Sequence, residues 1–111
     1  MNTAWIILVF AGFFEVGFTF CLGKAKGLPF SEAWPWYLGF FISLVLSMLL
    51  LMRASRELPL GTAYAVWTGI GAFGTSLMGI LVFQEPAHFW RLFFLFTLIA
   101  SVIGLKAFSE G

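Results

Sequence analysis

Residues 3–23 read TAWIILVFAGFFEVGFTFCLG, an apolar run interrupted by a single acid, Glu15. Crossing the hydrocarbon core of a bilayer takes about 20 residues of helix, each rising about 1.5 Å. This run has that length, so it reads as a membrane span with a carboxylate near its middle. Lys24-Ala-Lys-Gly-Leu-Pro29 ends the pattern. Three further apolar runs follow, at about 33–52, 59–83 and 88–108, separated by polar residues around Arg53–Glu57 and by Gln84-Glu85-Pro86. The expected fold is therefore all-α, a four-helix transmembrane bundle over residues 1–111 with no extramembrane domain. Pro29, Pro35, Pro59 and Pro86 are expected in loops or first turns, where a missing N–H breaks no helical hydrogen bond.

Composition leads to the same solvent. Hydrophobic residues make up 61% of the chain and charged residues 10%, whereas a soluble domain carries about 25% charged residues. A water-soluble protein of this size could not hide so much apolar surface. The net charge of +1 provides no basic field for nucleic acid. Cys21 is the single cysteine, so neither an internal disulfide nor a cysteine-based metal site can form. The N-terminus has no basic segment of the kind that opens a signal peptide, and the first span is expected to be retained.

Trp5, Trp34, Trp36, Tyr37 and Trp90 fall where the helices should meet the membrane–water interface, as aromatic anchors do. Arg91 and Lys106 lie near the ends of the fourth span, close enough to snorkel. Loop charges normally set orientation. Here Lys24, Lys26 and Arg91 on one side balance Arg53, Arg56 and Lys106 on the other. Dual insertion and an orientation set by a subtler cue both remain open. Four thin helices can hardly enclose a ligand and present it to both sides of a membrane. Two antiparallel copies could, because together they form the inverted repeat that larger transporters carry in one chain.

Glu15 is the first functional candidate, since an ionisable group at mid-span costs a few kcal/mol or more. No strongly basic residue lies at its depth. Its helical neighbours include Ala11, Gly12, Phe18 and Thr19, small side chains that leave room plus one ring face. A carboxyl so placed can hold a proton or a cation in turn, the minimum needed for proton-coupled exchange. The third span supplies the second signal, Gly61-Thr-Ala-Tyr-Ala-Val-Trp-Thr-Gly-Ile-Gly71. Tyr64, Trp67 or Thr68, and Gly71 share one face; Tyr64 offers a hydroxyl and Trp67 a cation–π surface. Gly69, Gly71 and Gly74 permit close packing, helix flexing or both. On the second span Gly39, Ser43 and Ser47 form a weakly polar stripe. There Ser47 either joins a network around the carboxylate or serves as packing glue. Thr97, Ala100, Ser101 and Gly104 give the fourth span a small-residue face, expected as a dimer seam, with Phe93, Phe94 and Phe96 pointing elsewhere. His88 is isolated, so no metal role is expected, and no nucleophile–base set marks an enzyme.

The length, the four spans, the lone acid of the first span and the run from Gly61 to Gly71 together resemble the small multidrug resistance family. The similarity extends over nearly the whole chain. Thr68-Gly-Ile-Gly-Ala72 and Gly104-Leu-Lys106 look most like its guanidinium-exporter subtype. That resemblance implies an antiparallel, dual-topology dimer in the bacterial inner membrane, homomeric or paired with a related chain, exchanging protons for small cations without a cofactor. It also implies that Glu15 takes the proton or the guanidinium and that Tyr64 and Trp67 line the site, with Gly12 and Ser47 completing its surround. Those exporters usually carry a Trp where this chain has Phe18, which keeps a ring face but loses the indole N–H. The alternatives are therefore promiscuous efflux of quaternary ammonium and other lipophilic cations, or a membrane subunit without transport of its own.

Overall fold

Each connection carries residues that shape a turn or cannot continue a helix. In the computed structural model, which describes residues 3–108, four helices emerge: α1 (Thr3–Ala25), α2 (Phe30–Ala54), α3 (Leu60–Leu81) and α4 (Phe89–Ala107). Pro29, Pro59 and His88 stand in extended backbone immediately before α2, α3 and α4. Gly27 makes the first turn with φ +85°, a conformation glycine adopts without steric cost. Gln84 takes φ +55° in the third. All four helices are long and apolar enough to cross a membrane.

Helix ends differ from expectation in one informative place. Because Pro29 serves as the N-cap, α2 begins at Phe30 rather than near residue 33. Pro35 therefore lies inside α2 and not in its first turn. It removes the N–H that would bond the Ser31 carbonyl. Both residues are exposed near the end of the helix, where water or headgroups can satisfy that carbonyl. α1 runs on to Ala25, while α3 stops at Leu81 and leaves 82–88 as a longer turn.

α1 is the central element, packed between α2 and α3, while α4 packs on the far side of α3. The result is a slab of 48 × 34 × 19 Å, two helix layers thick at most. Packing is uneven along its length. Trp5, Leu8, Ala11, Ala54, Leu58, Val66 and Trp67 form a buried cluster at the end where α1 begins and α2 finishes. Trp5 is thus a core residue with 1% exposure, not an interface anchor. The Lys106 ammonium lies 5.5 Å from its ring centre. Trp34, Tyr37 and Trp90 are exposed, as anchors should be. At the opposite end the bundle opens into a cleft of about 880 Å³, lined among others by Thr19, Tyr37, Thr75 and Phe83.

Arg53 pairs with Glu57 at 2.9 Å in the second turn. Arg91 does not simply snorkel: it pairs with Glu85 at 2.6 Å and donates to the Pro86 carbonyl, closing the third turn. Phe93 and Phe96 line a shallow apolar groove together with Thr97 and Ala100. The expectation that they point away from the small-residue face of α4 is therefore corrected, since 93, 96, 97 and 100 follow the spacing of one helical stripe.

Candidate functional site

Glu15 lies on the seam between α1 and α3. Its side chain rests on the bare backbone of Gly71; a Cβ there would overlap the carboxylate. One carboxylate oxygen, Oε1, is buried and has no hydrogen-bond partner among the described residues. A polar atom buried without a partner costs about 1–3 kcal/mol, and a bare anion costs more. An oxygen so placed can take a proton or accept from a cation that brings its own donors.

The glycines explain how the two helices come so close. Val16 of α1 fills the space over Gly74, while Ile70 of α3 fills the space over Gly12. Gly69 faces the other way and receives Val102 of α4. α3 continues through Gly69, Gly71 and Gly74 without interruption. Each accepts a neighbouring side chain, so they serve as packing positions in this conformation.

A polar layer lies one turn from the acid. Trp67 is 7% exposed, and its indole N–H donates to Ser47 Oγ at 2.9 Å. Ser47, fully buried, donates in turn to the Ala11 carbonyl at 2.7 Å. Three helices are tied by two bonds, and Ser47 bonds Trp67 and backbone rather than the carboxylate. Replacing Ser47 with Ala would leave the Trp67 N–H unpaired in a dry interior. Ser47→Ala is expected to cost about 1–3 kcal/mol, read as a lower unfolding temperature in detergent. Trp67→Phe should overlap with it, so the double variant loses less than the sum of the singles. Strict additivity would deny the bond any role.

Tyr64 lies beside Trp67, with ring centres 5.8 Å apart and planes tilted by 45°, but is 57% exposed. Its hydroxyl has no partner among the described residues and does not reach Glu15 of the same chain. Phe18 lies against Phe40 at 5.5 Å, edge to face, so its ring braces α1 on α2. Two residues that sequence reasoning did not assign to the site also stand beside it. Thr19 and Thr75 hydrogen-bond across the α1–α3 seam at 2.7 Å. The available signal was a threonine four residues beyond Gly71 on the same face of α3. Among the described residues no cluster of acids, histidines or cysteines could hold a metal.

Four apolar helices, with one half-buried acid on the α1–α3 seam and an open cleft lined one turn further on by Thr19 and Thr75, define a multi-pass membrane protein. The family model described as Small Multidrug Resistance protein matches residues 3–99. This chain belongs to that family. It is 44% identical over 106 residues to a protein of Yersinia pseudotuberculosis named "Guanidinium exporter", covering 96% of this chain and 99% of the relative. Proteins of the same name in Salmonella typhimurium and Escherichia coli are 45% and 44% identical over 103 residues, covering 93% of this chain and 95% of each relative. As a bacterial-type member of this family, the chain is a multi-pass protein of the inner membrane.

Proposed function

We propose that this chain exports guanidinium and simple guanidinyl cations across the inner membrane in exchange for protons, a transporter and not an enzyme. The observation carrying this reading is the Glu15 carboxyl on the seam, with one oxygen buried and unpaired. The names of the relatives supply the cation. Guanidinium is planar and forked, so it can meet a carboxylate with two parallel N–H bonds and stack on an indole. Glu15 would be the shared seat, with Gly12, Phe18, Ser47, Tyr64 and Trp67 as its surround. Proton and cation cannot both occupy the carboxyl, and that exclusion couples the two flows.

The working unit in this reading is a dimer of antiparallel copies. A slab 19 Å thick cannot enclose a cation on both sides. The exposed face of α4, with Thr97, Ala100 and Ser101 open, and the exposed, unpartnered Tyr64 leave surface for a second chain. The structure is packed shut at one end and open at the other, so inversion of the partner would pair a closed end with an open one.

Purified protein in liposomes under an imposed pH difference tests the reading. Guanidinium should accumulate against its gradient, and tetraalkylammonium, which has no N–H to offer, should not. Equal accumulation of both would make the chain a promiscuous exporter. Flux that only equilibrates would make it a passive channel. No flux at all would leave a non-transporting subunit.

A further inference from the structure

The contacts between α1 and α3 repeat in layers. Glu15 lies on Gly71, and four residues further along each helix Thr19 meets Thr75. Four helical residues advance about 6 Å, so the hydroxyl pair stands one turn from the acid. It lies on the cleft side of the acid, because both threonines line that cleft and Glu15 does not.

A threonine hydroxyl has one hydrogen and two acceptor lone pairs. Thr19 Oγ donates to carbonyls of its own helix, with Val16 O at 2.9 Å and Glu15 O at 3.2 Å. With that hydrogen on a carbonyl of α1, the 2.7 Å bond between the hydroxyls is made by Thr75 donating to Thr19. In this arrangement, the one that makes both bonds, the hydrogens are occupied inside the seam and the pair offers the cleft acceptor oxygen. Such a surface complements a cation rich in N–H donors and gives nothing to a quaternary ammonium.

Resting on the guanidinium reading above, we propose that Thr19 and Thr75 form a specificity-determining acceptor pair. In this arrangement they bind the N–H groups of a guanidinium that Glu15 leaves unpaired. A carboxylate can meet one edge of the cation; its other edges need further acceptors, and these two oxygens lie on the approach. Thr75 is the residue to test, because it can lose its hydroxyl without disturbing the carbonyl bonds of α1.

Calorimetric binding to the purified parent, Thr75→Val, Thr75→Ala and Thr75→Ser should use two ligands, guanidinium and the bicyclic guanidinium made by protonating triazabicyclodecene. The second has two parallel N–H bonds on one edge for Glu15 and no others for the threonines. Thr75→Val and Thr75→Ala should each weaken guanidinium binding about tenfold, the worth of one hydrogen bond to a charged group, with binding of the bicyclic cation unchanged and Thr75→Ser near the parent. Two variants that remove the oxygen with different shapes guard against a folding failure in one. Parental guanidinium affinity in either folded variant overturns the proposal. So does equal weakening of both ligands without rescue by serine, the signature of helix packing alone. If the parent binds no guanidinium, the substrate reading fails first and takes this one with it; if only the threonine variants behave like the parent, the substrate reading stands.

Discussion

Glu15→Gln is expected to abolish proton-driven cation accumulation while leaving the bundle folded. The amide has nearly the same shape, so the contact with Gly71 and the layers on either side keep their geometry. Its charge chemistry is gone: a glutamine cannot release a proton to make way for a cation and cannot form the two-pronged ion pair. Truncating one partner of a desolvated pair costs about 3–5 kcal/mol, so guanidinium affinity should fall at least about a hundredfold. A second readout separates coupling from binding. Guanidinium added to weakly buffered parent protein should acidify the solution, and the same addition to Glu15→Gln should not. Concentrative uptake by Glu15→Gln would end the proposed mechanism, whatever its rate.

Gly71→Ala should produce a comparable loss by the opposite route. The ionisable group stays, but the new methyl would occupy the volume of the carboxylate and crowd its Cγ. The displaced atoms are the far end of a flexible side chain, so relief comes by swinging Glu15 off the seam rather than by separating the helices. Alanine also favours the helix by about 1 kcal/mol over glycine. The expected signature is therefore unchanged or slightly higher thermal stability with transport reduced at least about tenfold, about 1.4 kcal/mol of lost seat geometry. Stability and transport falling together would mean that the glycine serves helix approach alone.

Legibility from the sequence varied with the kind of force involved. Glu15 stood out because an acid at mid-span is costly in any arrangement of helices. The run from Gly61 to Gly71 could be read as a packed, aromatic face because small residues and rings repeat at helical spacing. Trp5 was misplaced for a physical reason: near the end of a span, a tryptophan has the same hydropathy whether it meets headgroups or a neighbouring helix. Ser47 had two partners open to it, and only the position of α3 decided that Trp67 would take it. Thr75 carried only a weak signal, its place four residues beyond Gly71, and gained meaning once Thr19 was found opposite.

The sequence by itself determined the solvent, the all-α class, the presence of four spans and the identity of the exceptional acid. These follow from segment length and transfer free energy, which each segment carries alone. Only the tertiary structure decided that α1 lies between α2 and α3, that Gly71 rather than any hydroxyl underlies Glu15, and that Thr19 meets Thr75. Lipid offers helices no hydrophobic reason to choose one neighbour over another, so that choice falls to the fit of side chains into glycine-lined gaps, a property of pairs of surfaces that no single span contains.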